Sequence, residues 1–361
     1  MSANTRNLHR AQFGMKGKGP EDQPFRGWKS ELDAIIKEHN HLKKDGTHGA
    51  SHRTMEERER VLFRCFKELR EHCSLLIDNP RNLKPKHVEA LARLWESRQQ
   101  SAATIQGKMS ILRTFAGWIG KPGMITASAD YVSDKALVTR TYAAEKDKSW
   151  SAAGLDVVEA LKHIALVDPY VAMQIELIAM FGMRRKEGVM FDPFLADQGP
   201  VLLLDRGTKG GRSRFALIDT PAKRALVDRA KAFVLKMKGG KGHIGEPGKD
   251  LKQNLKRYSN VLSRMGITKE NLGITGHGLR AEFVCDRLEE RGITAPVRSG
   301  SGIQETSLSE SDQELVLKKT SEEVGHSRTS VIAAYCGQFS VMRSKKAGRP
   351  PGAASTVSDS T

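Results

Sequence analysis

Near its C-terminal end the sequence runs V-G-H-S-R-T-S-V-I-A-A-Y-C-G from Val324 to Gly337, with a His directly after a Gly and a Tyr nine residues beyond it. A tyrosine hydroxyl can act as an oxygen nucleophile, although a pKa of about 10 makes it a poor one at neutral pH without a base and cations beside it. Four upstream positions, Arg184, Lys209, His277 and Arg280, offer such groups. Fixed guanidiniums stabilise charge that grows on an anionic substrate during reaction.

Each piece also has an ordinary structural reading. Gly182-Met183-Arg184-Arg185-Lys186-Glu187 closes an apolar run, and an Arg entering a core is rare unless paired. Glu187 lies three residues on and can partner Arg184 on the same face, so an ion pair that only supports the fold is one reading. His277-Gly278-Leu279-Arg280 follows a turn-like approach from Asn271 to Gly276, which sets His277 at a helix start with Arg280 one turn in. Cations there oppose the helix dipole at a cost of a few tenths to about 1 kcal/mol, a balance that a bound anion reverses. On one continuous helix, His326 and Tyr335 would sit half a turn and roughly 13 Å apart. For both to serve one site the chain must bend, and Ser327 is a plausible N-cap for a helix carrying Tyr335. Lys209 falls near the tip of a hairpin, where lysine ordinarily protects a solvated edge.

The elements that must position these groups are mostly helical. Residues 30–39 read as one short amphipathic helix. Thr54 and Glu57 form a capping-box pattern ahead of Leu62, Cys65, Phe66, Leu69, Cys73 and Leu76, an apolar face that runs to about Ile77 and stops at Asn79-Pro80. Val88 to Trp95 and Ile105 to Ile119 mark two further helices. Arg93, Arg98, Lys108 and Arg113 fall on their outer faces, a basic surface that is either solvation or a contact to a polyanion. A new pattern opens near Ser151, and Asp168 to Phe181 is apolar almost all round, as a buried helix would be. Val201 to Arg206 and Arg212 to Ile218 are the two strands, flanking T-K-G-G. Helices are expected at about 221–236, 250–265, 277–290, 311–322 and 328–336, with a long Gly/Ser-punctuated loop over 291–311. The fold class is mainly α with a small β-hairpin. The organisation is a basic arm with a short helix over 1–50, a helical domain over 51–123, a linker over 124–149, a second domain over 150–345 and a disordered tail over 346–361.

Composition narrows the partner. Lys and Arg number 59 against 42 Asp and Glu, for a net charge of +17 and a pI near 9.7. Such an excess favours nucleic acid or an acidic membrane. No apolar run approaches the roughly 18 residues of a span, and the N-terminus has no apolar signal core. Cys65, Cys73, Cys285 and Cys336 show no C-x-x-C or zinc spacing and fit a reducing cytosol. Aromatic residues make up only 6% and no base-stacking motif is present, which argues against RNA.

G-M-R-x-x-E, a hairpin Lys, H-x-L-R, G-H and a Tyr nine residues later occur in the order and approximate spacing of one family. The sequence resembles the tyrosine recombinases, the phage- and mobile-element-integrase superfamily, well over 150–340 and loosely over 54–122, notably in T-I-Q-G-K-M-S-I-L-R-T-F-A-G-W. The resemblance implies a helical core-binding domain followed by a catalytic domain. It implies that Arg184 and Arg280 clamp a scissile DNA phosphate, that His326 adds a hydrogen bond, and that Tyr335 attacks to leave a 3′-phosphotyrosyl link. Lys209 would be the general acid for the leaving oxygen, His277 would assist proton transfer at Tyr335, and Glu187 would hold Arg184. Arg212 joins Arg93, Arg98, Lys108 and Arg113 as a candidate DNA contact.

No metal is expected, because no metal-ligand motif is present and fixed guanidiniums can stabilise the charge, and no nucleotide cofactor, because the covalent link keeps the energy of the phosphodiester. Implied partners are duplex DNA attachment sites, a homotetramer assembled on them, and a directionality or DNA-bending protein, in a bacterial cytoplasm at the nucleoid. Arg280 and His326 lie farther apart than in compact members, and the 291–311 loop takes up the excess. A type IB-like topoisomerase and a non-catalytic DNA-binding regulator are the competing readings.

Overall fold

A computed structural model describes residues 27–42, 49–238 and 242–340. The arm before residue 27 and the tail after residue 340 lie outside the described residues. The chain divides into two units, Met1–Arg140 and Thr141–Thr361, at a point inside the stretch read as a linker. The fold is mainly α-helical with one two-stranded antiparallel sheet among the described residues. None of their helices is long and apolar enough to cross a membrane.

The first unit is built from α1 (Trp28–His39), α2 (His52–His72), α3 (Pro85–Ser97) and α4 (Ala102–Trp118). Their apolar stripes meet in one core that includes Leu62, Phe66, Leu69, Leu91, Trp95, Met109 and Phe115, the positions that the three- and four-residue spacing marks. Two boundaries differ from the sequence reading. Ser51, not Thr54, caps α2, its Oγ accepting from the Thr54 N–H at 3.2 Å, while Glu57 pairs with Arg60. The helix also ends at His72, before Asn79-Pro80, because the chain turns at Ser74 with φ +53°.

A carboxylate lies inside this unit. Glu68 is buried, accepts from Trp95 Nε1 at 2.9 Å, and pairs with Arg64 at 3.0 Å, Arg98 at 3.1 Å and Lys108 at 3.8 Å. Lys108 also lies 4.5 Å from the Trp95 ring centre. Burial would raise the Glu68 pKa, but the Trp95 hydrogen bond and the neighbouring cations outweigh it and hold the group ionised.

The second unit opens with α5 (Val157–Val167) and α6 (Pro169–Phe181), which pack as a helical hairpin. α5 begins at its cap Asp156, several residues after the expected Ser151, which belongs to a single 3₁₀ turn. Asp168 ends α5 and caps α6, accepting from Tyr170 and Val171 N–H at 3.1 Å. α6 is buried nearly all round, as its composition requires. After left-handed Gly182 come α7 (Arg185–Met190) and α8 (Pro193–Ala196), then β1 (Val201–Leu204) paired with β2 (Arg214–Leu217). The strands are shorter than expected, and Leu204 faces Arg214 across the pair. α9 (Pro221–Lys238), α10 (Leu251–Arg264), α11 (Lys269–Leu272), α12 (Gly278–Glu289), α13 (Glu310–Glu323) and α14 (Ala333–Cys336) complete the unit. A second, smaller core gathers α12, α13 and α14 around Val284, Leu288, Leu317, Val324, Ile332 and Phe339.

Candidate active site

Arg184 stands at the N-terminus of α7 with extended φ/ψ, so its side chain turns back over the first helical turn. Glu187, at the third position of that turn, accepts from the Arg184 N–H at 2.9 Å and from Arg184 Nη1 at 2.5 Å. The same carboxylate accepts from Arg214 Nη2 at 2.8 Å. Arg214 was not among the expected site residues. It belongs to β2, whose alternation turns Arg214 and Ala216 inward while Phe215 and Leu217 face solvent.

Arg280 lies one turn into α12 and is fully buried, with no solvent exposure. Its Nη1 donates to the Gly182 carbonyl and its Nη2 to the Val324 carbonyl. Arg214 Nη2 also donates to Gly182 O at 3.3 Å, and Arg184 Nη2 to Val324 O at 3.3 Å. The three guanidiniums and three acceptors, Glu187 and these two carbonyls, therefore close a ring. Gly325 follows Val324 at φ +73°, and a Cβ there would stand 2.7 Å from Arg214 Cδ. Only glycine lets the chain pass over the arginines at this point.

The ring faces the tyrosine. Arg280 Nε donates to the Tyr335 hydroxyl at 3.0 Å, and His326 Nε2 lies 3.2 Å from that oxygen and 3.4 Å from Arg280 Nη2. The chain bends between His326 and Tyr335 as joint service requires, through a 3₁₀ turn at Thr329–Val331 ahead of α14. Ser327 does not cap α14; its Oγ accepts instead from Arg212 Nη1 at 3.2 Å. The His277 ring centre stands 5.6 Å from that of Tyr335. Lys209 sits on the turn between the strands, exposed and without a hydrogen bond or ion pair to a described residue.

The electrostatics follow from two buried cations, Arg214 and Arg280, and the half-buried Arg184 gathered around one anion, Glu187. Burial pushes Arg280 down to about 10, with Arg184 and Arg214 adding like charge, yet it stays protonated at neutral pH. Burial would raise Glu187, but the charge and hydrogen bond of Arg214 and the charge of Arg280 outweigh it, so the carboxyl is held below its usual range. Burial first, then Arg280, Arg184, Lys209 and Arg214, depress His326 to about 4, leaving a neutral imidazole at pH 7. His277 is more open to solvent at the rim, which softens the effect of the protein around it. Burial against the surrounding chain first, then the charges of Arg280, Arg184 and Lys148, still push its pKa down. A bound phosphate would reverse both shifts.

A guanidinium carries five N–H donors. Arg184 spends one on Glu187 and one on Val324 O, leaving the others for an incoming anion. Arg280 commits four, two of them to Tyr335 and His326. A phosphate entering here would meet Arg184 directly and take over the Tyr335 and His326 contacts of Arg280.

The candidate DNA contacts of the first unit have intramolecular partners. Arg98 and Lys108 pair with Glu68, and Arg113 donates to the Thr126 carbonyl at 2.6 and 2.9 Å. Among the described residues Arg93 pairs only with Glu89, one turn away, and its side chain is 72% exposed.

Comparison with known proteins places the chain in a family. A family model described as phage integrase, N-terminal, matches residues 32–125, and one described as integrase matches residues 143–286. No curated protein sequence matches the chain. Among solved structures, a lambda integrase fragment, a dimer bound to a COC′ core site, is 16% identical with a TM-score of 0.53, covering 86% of this chain and 95% of that one. The Tn1549 transposon integrase in complex with transposon right end DNA is 14% identical with a TM-score of 0.52, covering 89% and 98%. The XerH site-specific recombinase bound to difH substrate is 14% identical with a TM-score of 0.51, covering 92% and 99%. These identities speak to the fold, and the two family matches, which together take in most of both units, to the lineage. The chain belongs to the tyrosine recombinase superfamily, that of the phage-type integrases.

Proposed function

We propose that this protein is a site-specific DNA recombinase that cuts and rejoins strands through a phosphotyrosine at Tyr335. The observation that carries the reading is the Tyr335 hydroxyl held between Arg280 Nε and His326 Nε2, with Arg184 sharing the Val324 carbonyl with Arg280. A duplex phosphate enters with its non-bridging oxygens on Arg184 and Arg280, and His326 donates a further hydrogen bond. The Tyr335 oxygen attacks phosphorus in line, and its proton leaves with help from His277. The bond to the 5′ oxygen breaks, Lys209 protonates that oxygen, and the 3′ phosphate remains on Tyr335. Attack by a second strand's 5′ hydroxyl reverses these steps. One phosphodiester is exchanged for another of similar energy, so no nucleotide is consumed.

Lys209 suits the acid's role because it is exposed on its turn and unpaired among the described residues, yet close enough for its charge to act on His326. The strongly basic chain supplies sequence-independent attraction to the duplex. Strand exchange needs two paired sites, and a tetramer of this chain on DNA is the assembly we infer. Arg93 and Arg212 are the phosphate contacts we favour, because their exposed side chains can reach a duplex without breaking a buried pair.

The test is incubation of the full chain with a pool of nicked duplexes of randomised core sequence, in which the cut strand diffuses away. Wild type forms a covalent adduct that Tyr335→Phe does not. An adduct that survives in Tyr335→Phe defeats the assignment. Sequences recovered from the adduct then serve as paired sites, where recombination marks a recombinase and relaxation alone marks a topoisomerase.

A further inference from the structure

Between α12 and α13 the chain makes a long excursion, residues 290–309, whose role the reaction above leaves open. It is not a loose loop. Ile293 and Ala295 are buried in the same small core as Tyr335, Cys336 and Phe339. Thr294 and Glu305 pair across it through N–H···O bonds of 2.9 and 3.1 Å, which closes the excursion on itself. Arg298 braces it against three carboxylates, Asp147 at 3.1 Å, Asp286 at 2.7 Å and Glu289 at 3.0 Å.

From this braced loop two contacts reach the chain that follows the tyrosine. The Val297 N–H donates to the Cys336 carbonyl at 3.1 Å. Gln304 Oε1 accepts from the Ser340 N–H at 3.1 Å while its Nε2 donates to Ser340 Oγ. Between them Gly337 has φ +91°, and a Cβ there would stand 2.9 Å from Pro296 Cβ and 3.3 Å from Val297 Cγ1. The two segments therefore touch along a line where no larger residue fits.

α14 needs such a neighbour. It is four residues long, and a single helical turn does not hold itself. A nucleophile misplaced by about 1 Å can cost a hundredfold in rate. Upstream, the Ala144 N–H donates to the Ala333 carbonyl at 2.7 Å; downstream, the loop is what grips the chain.

We propose that the 290–309 excursion is a latch for the nucleophile, with Gln304 and Arg298 as positioning residues that keep the Tyr335 hydroxyl at Arg280 and His326. The inference rests on Tyr335 being the attacking group. Docked, the latch holds the tyrosine ready; released at Ser340, it lets the Tyr335 segment leave the site.

The test uses the full chain with Gln304→Ala, Arg298→Ala and the conservative Gln304→Glu, which keeps an acceptor for the Ser340 N–H. Amide hydrogen exchange is followed over 335–340 and over α6. Gln304→Ala should speed exchange over 335–340 about tenfold, the change expected from losing one or two modest hydrogen bonds, and leave α6 within twofold. Arg298→Ala should do the same, and Gln304→Glu should restore most of the protection. Single-turnover cleavage of the adduct-selected duplexes should fall about tenfold in Gln304→Ala with unchanged DNA affinity. Unchanged exchange over 335–340, equal acceleration in α6, or a loss of affinity in place of cleavage would each overturn the latch. The exchange arm needs no DNA. A wild-type chain that forms no adduct therefore refutes the recombinase reading separately, while exchange alone decides whether the loop grips the Tyr335 segment.

Discussion

Replacing Glu187 by Gln removes the one carboxylate inside the ring of three arginines while keeping its shape. In the structure Glu187 is 1% exposed and holds Arg184 through two bonds and Arg214 through a third. Gln can accept at one oxygen only, and the Arg214 guanidinium, itself 4% exposed, keeps its charge without an anion. Breaking a buried pair in this way costs about 3–5 kcal/mol. Because Gln retains part of the hydrogen bonding, the lower end applies, about 3 kcal/mol, or roughly a hundredfold in an opening equilibrium. The most protected amides of α6 read that equilibrium directly in the full chain. They should exchange roughly a hundredfold faster in Glu187→Gln, and sulfate at constant ionic strength should slow the variant more than wild type, since an anion replaces the lost charge. Exchange within threefold of wild type, or equal response to sulfate, would refute the view that Glu187 balances a cationic phosphate cradle.

Gly325→Ala must place a Cβ 2.7 Å from Arg214 Cδ at a left-handed φ; strain of about 1–3 kcal/mol should lower the melting temperature and cut adduct formation at least tenfold, and a wild-type rate would contradict the packing. His326 has a folded pKa of about 4, below its ordinary 6.5. It contributes nothing to stability above pH 6.5 and penalises the native state as pH falls from 6.5 towards 4, while the unfolded chain takes up a proton. Urea unfolding across that range should be flatter in His326→Asn than in wild type; parallel curves would place the ring outside the cationic cluster. Arg93→Ala should reduce the salt slope of DNA binding by about one. Lys108→Ala should leave the slope unchanged and instead destabilise the first unit, where Glu68 loses a partner; the reverse pattern would make Lys108 the phosphate contact.

Much of this arrangement was legible in the sequence, for physical reasons that differ by region. Helices α2, α3, α4 and α6 bury faces or whole surfaces, so apolar spacing marks Leu62, Phe66, Leu91 and Ile175 before any coordinates are seen. Arg280 does lie one turn into α12, where the turn-like approach from Asn271 to Gly276 sets the helix start. Arg214 escaped because a single Arg in R-F-A-L looks like an exposed strand position. Its signal was the alternation with Ala216, which sets both on the buried face. The Gly182 and Val324 carbonyls that tie the arginines together carry no side-chain identity, so no residue pattern reveals them. Cap assignments at Thr54 and Ser327 failed where a second hydroxyl or a partner far along the chain competed, Ser51 in one case and Arg212 in the other. The grip of the 290–309 loop on Ser340 is likewise a long-range contact, visible only once the chain is folded.

The central claim is that one aromatic hydroxyl becomes bonded to a broken strand. Trapped adducts digested with trypsin and nuclease and analysed by mass spectrometry test it most directly. The account predicts a nucleotide joined through its 3′ phosphate to the peptide containing Tyr335, and to no other peptide. A link to a different residue, or through a 5′ phosphate, would contradict it.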